Sequence, residues 1–225
     1  MIRILVADDH PVVRQGLKQI VAGTTDIFVV DEAATGQEVL DKVRQNYFDV
    51  VLLDITMPGI SGLDVLKQLR SERPELAILI LSMHPEEQYA ARVLRAGASG
   101  YLAKESAPDD LVAAVRKISL GGKYVSPSLA EKLASDLAVD TQEPLHQTLS
   151  DREYETMHLI ASGKTTAEIA EQLSLSPKTI STYRSRILEK MGMRSNTELT
   201  LYAVRNRLLD GEVKSQKPKS RKHSL

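Results

Sequence analysis

Residues 50–59 read VVLLDITMPG, and the fold turns on them. Four large apolar side chains in succession, two of them β-branched, describe a strand buried on both faces, as in a parallel sheet covered by helices. Asp54 closes the run, and Met57-Pro58-Gly59 then turns the chain away. The same arrangement recurs on either side. Residues 2–7 (IRILVA) lead into Asp8-Asp9, residues 78–81 (ILIL) into Ser82, and residues 100–103 (GYLA) into Lys104. A single parallel sheet gathers all of these at its carboxyl edge, where open α/β sheets bind ligands.

Helical periodicity fills the intervals. Helices are expected over 11–22, 36–45, 62–71, 86–96 and 108–120, with another strand over 27–31. Five such units predict an α/β doubly wound, five-stranded parallel sheet with helices on both faces. Pro11 fits a first helical turn, and Gly97 and Gly100 bracket the passage into the last strand.

Three carboxylates crowded at one edge repel one another unless a hard cation sits between them. Mg²⁺, held by one or two carboxylates together with phosphate oxygens, is the natural occupant. A hydroxyl (Ser82) and an ammonium (Lys104) complete a phosphoryl-binding set. Alone, Asp54 reads as a turn cap, Ser82 as a strand-end hydroxyl and Lys104 as a solvated charge. On successive strands in one register they read as a site.

The acid pair, LLDITMPG, LS and YLAK, in this order, resemble the receiver domain of two-component response regulators over roughly residues 1–120. The resemblance implies a flavodoxin-like fold and a histidine kinase as phosphodonor. It makes Asp54 the phosphoacceptor, Asp9, Asp54 and the Thr56 backbone carbonyl Mg²⁺ ligands, and Asp8 a ligand through water. Ser82 and Lys104 then contact the phosphoryl oxygens, and Tyr101 rotates as Ser82 is drawn inward. Ser82 stands where many receivers carry threonine, and Glu105 where many carry proline; neither removes a needed group. Phosphatases of the haloacid dehalogenase type also combine Mg²⁺, an aspartate nucleophile and a lysine. They place a second aspartate two residues after the nucleophile, where this chain has Thr56, so an enzyme is not expected. A receiver serving only as a constitutive dimerisation or adaptor module is disfavoured by the complete set of phosphorylation residues.

The chain has 225 residues, 42% of them hydrophobic, enough for two modest domains with real cores. Cysteine is absent, which excludes disulfides, zinc–cysteine sites and thiol chemistry. Met1-Ile2-Arg3 runs straight into a strand rather than a signal peptide, and no apolar run approaches membrane-span length, so a cytoplasmic location without membrane contact is expected. Charge is uneven: residues 1–120 hold 13 basic against 17 acidic side chains, residues 211–225 hold 5 against 1. A cation and phosphoryl site in front and a polyanion partner behind fit that asymmetry.

At Gly121-Gly122 the pattern breaks. Residues 121–148 read as a linker with a short helix from Ser126-Pro127 to 136, and 211–225 as a disordered basic tail. Residues 149–210 read as a small all-α unit of four helices. Ser150 and Glu153 form a capping box for the first, which Gly163 ends. Thr165 or Thr166 opens the second through Leu173, Ser176-Pro177 starts a third running to about Met191, and Asn196 caps the fourth.

On the third helix Ile180, Tyr183, Ile187 and Met191 recur at helical spacing and face the core. Lys178, Thr179, Ser181, Thr182 and Ser185 lie elsewhere on it, with Arg184, Arg186 and Lys190 at its flanks and end. Short hydroxyls suit close approach to base edges in a major groove, and long cations reach phosphates. With the preceding helix and tight turn this makes a helix-turn-helix. The opening LSDRE, the core EIAEQLSLSPKTIS and the end KMGMRSNTEL resemble the LuxR-type DNA-binding domain of the NarL/FixJ class. Tyr183 replaces a common histidine, and Thr165-Thr166 a common Ser-Asn. The resemblance implies a phosphorylation-activated transcription regulator that binds double-stranded promoter DNA as a homodimer, with RNA polymerase as a further partner. It also implies a receiver that hinders the DNA-binding domain until activated; if the linker lets the receiver cover the DNA-binding face, a fragment beginning near Leu145 is expected to bind DNA without phosphorylation.

Overall fold

The computed structural model describes residues 1–83, 86–127, 129–131, 144–206 and 208–209. Five parallel strands, β1 (Ile2–Ala7), β2 (Ile27–Ala33), β3 (Val50–Asp54), β4 (Ala77–Ser82) and β5 (Gly100–Ala103), form one sheet in the order β2-β1-β3-β4-β5. Strands β3 and β4 are buried along their whole length, whereas the edge strand β2 leaves Phe28 and Val30 exposed. Central parallel strands are covered on both faces, which is why their sequences are continuous apolar runs.

Alternate side chains feed opposite layers. Ile4, Val6, Val50, Leu52, Leu79 and Leu81 pack with α1 (Pro11–Ala22) and α5 (Pro108–Ser119). Leu5, Ala7, Val51, Leu53, Ile78 and Ile80 pack with α2 (Gly36–Gln45), α3 (Gly62–Glu72) and α4 (Glu86–Arg95). The expected sheet and its helices are therefore present, each boundary within two residues of expectation.

A 3₁₀ turn over Leu145–Thr148 leads into the second unit, where no regular structure was expected. Its helices are α6 (Asp151–Ala161), α7 (Thr166–Gln172), α8 (Pro177–Lys190) and α9 (Asn196–Arg205). Ser150 and Glu153 close the expected capping box on α6, and Thr165 with Glu168 a second on α7. Asn196 is not the cap of α9. That role belongs to Ser195, whose hydroxyl accepts from the Glu198 amide, leaving Asn196 as the first helical residue. The turn between α7 and α8 passes through Ser174 at φ +53°, a left-handed conformation that costs a non-glycine residue roughly 1 kcal/mol.

Every residue of α6 from Arg152 to Ala161 is buried. A helix buried all round lies between layers rather than on a surface. Helices α8 and α9 pack on one side of it, and the receiver-side layer of α3 and α4 on the other, so one apolar cluster runs through both units. The helix after Ser126 is described only at its start, where the Leu129 amide donates to Ser126 Oγ. Its expected remainder to 136, most of the linker, and the tail 211–225 lie outside the described residues.

Candidate functional site

The ends of β1, β3, β4 and β5 converge as the parallel register requires. Asp8 is fully buried and Asp54 is 3% exposed. Lys104 Nζ lies 2.6 Å from Asp8 Oδ2 and 2.9 Å from Asp54 Oδ2, so one ammonium holds two carboxylates together. The Thr56 amide donates to Asp54 Oδ1 at 3.3 Å. Ser82 is buried beside them, its carbonyl accepting from the Lys104 amide, and Tyr101 is 1% exposed, packed within the core. The phenol ring thus stands inside the core, next to the strand end from which Ser82 is expected to be drawn inward.

Burial pushes the Asp54 carboxyl up to about 6, against the pull of Lys104, and the nearby Asp8 raises it further. Burial works against the Lys104 ammonium as well, but Asp54 and Asp8 outweigh it and hold its pKa above the ordinary lysine range. Desolvation and close opposite charges competing in this way are what a buried charged site produces.

Oxygens of Asp8, Asp9 and Asp54 and a ring nitrogen of His10 lie within 4.8 Å of one another. Asp8 Oδ2 and Asp9 Oδ1 are buried and receive no well-angled hydrogen bond, having only ion-pair contacts to Lys104 and His10. Hard, clustered and under-satisfied oxygens are the donor set a small divalent cation takes.

Four participants were not anticipated from the sequence. His10 donates its amide to Asp8 Oδ1 and sets its ring 2.7 Å from Asp9 Oδ1. Arg14 donates to the Asp8 carbonyl at 2.7 Å, fixing the backbone of the acid pair. Gly62 faces β3 so closely that a Cβ would stand 1.9 Å from the Asp54 carbonyl oxygen. Glu155, on α6, accepts from Thr56 Oγ1 at 3.4 Å. Burial raises the Glu155 carboxyl above the ordinary range, and its pairing with Arg152 only partly offsets this. His10 and Gly62 sit beside motif residues and are readable in principle, whereas Glu155 comes 99 positions after Thr56 and carries no local signal.

The second candidate surface is α8. Ile180, Ile187 and Met191 are buried and Tyr183 packs against them, as the spacing predicts. Lys178, Ser181, Thr182, Ser185 and Arg186 are exposed, and Thr179 is half-buried against the Ser176 cap. The hydroxyls of Ser181, Thr182 and Ser185 each donate to the carbonyl four residues back, which leaves their lone pairs outward as acceptors. Two expected cations are otherwise engaged. Arg184 donates to Asn196 Oδ1 at 2.7 Å, and Lys190 Nζ pairs with the Glu153 carboxylate at 2.6 Å. Burial alone would raise the Glu153 carboxyl; the bond from Lys190 outweighs it and holds the group below its usual range. Lys190 is thereby tied to α6 in this structure. The receiver packs against α6, and the outward face of α8 is exposed.

An acid-lined sheet edge joined to a helix-turn-helix defines a class, and comparison with known proteins assigns it. The response regulator receiver domain matches residues 4–116, and the luxR family of bacterial regulatory proteins matches residues 147–203. This chain belongs to the response regulators of the NarL/FixJ class, which are phosphorylation-dependent, DNA-binding regulators of two-component systems. It is 38% identical over 216 residues to the response regulator UvrY of Escherichia coli (strain K12), covering 96% of this chain and 99% of that one. To the response regulator GacA of Pseudomonas protegens it is 37% identical over 213 residues, covering 95% and 100%. Among solved structures it is similar to RcsB from Salmonella enterica serovar Typhimurium bound to promoter rprA in the presence of phosphomimetic BeF3−. There the identity is 26%, the TM-score 0.62, and the coverage 91% of this chain and 99% of that one.

Proposed function

We propose that residues 1–120 form a receiver in which Asp54 accepts a phosphoryl group from a sensor histidine kinase, and that residues 149–210 bind double-stranded promoter DNA. Residues 121–148 are the linker between them and 211–225 a basic tail. The observation that carries this reading is the Lys104 ammonium set between the carboxylates of Asp8 and Asp54 at the carboxyl edge of the sheet.

An Asp54 oxygen forms the new bond to phosphorus as the bond to the donor's leaving atom breaks, the electron pair departing with that atom. Carboxylates are weak nucleophiles toward an anionic phosphoryl group, so positioning and charge neutralisation must supply most of the catalysis. Asp9, Asp54 and the Thr56 carbonyl would hold Mg²⁺, with Asp8 acting through water. When bound, that ion neutralises the incoming phosphoryl charge. Lys104 supplies a second positive charge, and Ser82 a hydrogen bond to a phosphoryl oxygen. Tyr101 packs inside as part of the switch. The chain's role is regulatory, with no substrate turned over beyond its own acyl phosphate.

On the DNA side, Ser181, Thr182, Ser185 and Thr179 approach base edges, while Lys178, Arg184 and Arg186 meet phosphates; Arg184 must first leave Asn196. The regulator acts in the cytoplasm as a homodimer on DNA once activated, with RNA polymerase as the downstream partner. Among the described residues no helix is long and apolar enough to cross a membrane. Genomic footprinting with wild type and Asp54→Ala tests the reading. Footprints that depend on Asp54 are expected, and identical footprints would contradict it.

A further inference from the structure

His10 occupies the N-cap of α1 without capping it. Thr35 and Ser61 close α2 and α3 through their hydroxyls, as short polar side chains do; the His10 ring makes no such bond with α1. Its conformation is set by Pro11, which restricts the residue before it to extended backbone, here φ −89° and ψ 111°. The His10 amide donates to Asp8 Oδ1 at 2.8 Å, and its carbonyl accepts from the Val13 and Arg14 amides. Backbone fixed in this way carries the ring back over the acid pair. Nδ1 lies 2.7 Å from Asp9 Oδ1 and 3.3 Å from Asp8 Oδ1. Lys104 holds the other oxygen of Asp8, so the ring and the ammonium meet that carboxylate through different atoms. The imidazole is 67% exposed, open to an ion arriving from solvent.

We propose that His10 is a nitrogen ligand of the cation site for late first-row divalent ions, and so sets which metals the site prefers. This rests on the reading of the sheet edge as a cation site and names the class of ion it takes. A ring nitrogen and an oxygen from each of Asp8, Asp9 and Asp54 lie within 4.8 Å of one another. Donors about 2 Å from one ion stand about 3 Å apart, close to the separation of the ring from Asp9 Oδ1. Two of the oxygens, Asp8 Oδ2 and Asp9 Oδ1, are buried and receive no well-angled hydrogen bond. Carboxylates alone suit Mg²⁺, which takes oxygens and keeps its waters. One imidazole turns them into a mixed nitrogen–oxygen set, which suits Ni²⁺ and Zn²⁺ and whose affinity rises along the series from Mn²⁺ to Ni²⁺. An ion so held occupies the carboxylates that Mg²⁺ needs, and the two compete for one site.

The test uses the untagged full-length chain with MnCl₂, NiCl₂ or MgCl₂ and no phosphodonor. Pulsed electron paramagnetic resonance of bound Mn²⁺ reads directly coordinated nitrogen, and calorimetry reads the affinity for each ion. Wild type is expected to show a nitrogen coupling that excess Mg²⁺ removes together with the bound Mn²⁺, and to bind Ni²⁺ more tightly than Mg²⁺. His10→Asn keeps a good N-cap residue and a polar group near Asp9 but lacks the imidazole. It is expected to lose the nitrogen coupling and about tenfold or more in Ni²⁺ affinity, the scale on which metal sites respond even to loss of a supporting group, with Mg²⁺ affinity unchanged. Absence of the coupling in wild type, its survival in His10→Asn, or equal losses of Ni²⁺ and Mg²⁺ affinity would overturn the proposal; the last would make His10 a brace for the acid pair. Asp9→Asn tests the site itself and is expected to weaken both ions. Wild-type binding of both ions by that variant would instead overturn the reading of the sheet edge as a cation site.

Discussion

Thr56, two residues after Asp54, donates its hydroxyl to Glu155 of the DNA-binding domain at 3.4 Å. A receiver loop and a helix of the DNA-binding domain thus share a hydrogen bond beside Asp54. That contact ties the chemistry at the sheet edge to the disposition of the second domain.

The Lys104 ammonium neutralises two buried carboxylates at once. Lys104→Ala leaves both without a cation, and breaking a buried pair in this way costs about 3 to 5 kcal/mol. Thermal or urea unfolding in EDTA reads that loss, and Mg²⁺ recovers most of it. Phosphorylation of Asp54 remains possible in this variant but no longer drives the switch.

Asp54 predicts a pH signature in metal-free protein. Burial places its carboxyl at about 6 in the fold, above the value of the unfolded chain. The native state keeps a proton that the unfolded chain has lost, so stability falls as pH rises from about 4 to about 6 and then levels. Asp54→Asn removes that titration. It is expected to stabilise the fold by about 2 to 3 kcal/mol at pH 7, a gain that vanishes near pH 4 and is read by denaturant melts across pH.

The groove helix separates reading from holding. Ser181→Ala or Ser185→Ala is expected to cost about 1 to 3 kcal/mol at the preferred site and nothing on random duplex. Neutralising Lys178 or Arg186 weakens all sequences and lowers the salt slope by about one unit. Lys190→Ala leaves that slope unchanged and destabilises the domain, because it strands the buried Glu153 carboxylate. Competition titrations at several salt concentrations, with melting curves for the last variant, decide all three.

Gly62 faces the Asp54 carbonyl where no side chain fits. Gly62→Ala forces β3 or α3 to shift, and the resulting overpacking is expected to cost about 1 to 3 kcal/mol and displace Asp54. Falling thermal stability together with slower phosphorylation is the expected outcome. Wild-type behaviour in both assays would show that the approach is relieved cheaply.

The sheet was legible because buried parallel strands are written as unbroken apolar runs, and the edge residues because each run ends in a chemically distinct group. Helix caps were legible where hydroxyl and acid stand three apart, as at Ser150 and Glu153. The fourth helix misled by one residue, since Ser195 and Asn196 are both good caps and only backbone geometry chooses between them. The Lys190–Glu153 pair was not legible, because a cation at a helix end looks the same whether it faces solvent or a buried carboxylate on another helix. Glu155 and Arg152 were unreadable as site neighbours. Their partners lie 93 to 99 residues away and are brought near only by the packing of two domains.

The central claim is that Asp54 alone accepts the phosphoryl group in this edge site. Incubating the full chain with acetyl phosphate and Mg²⁺, followed by intact-mass measurement and borohydride trapping of the acyl phosphate, tests it directly. The expected result is a gain of one phosphoryl group in wild type, mapped to Asp54 and absent from Asp54→Asn; an undiminished gain in that variant would contradict the claim.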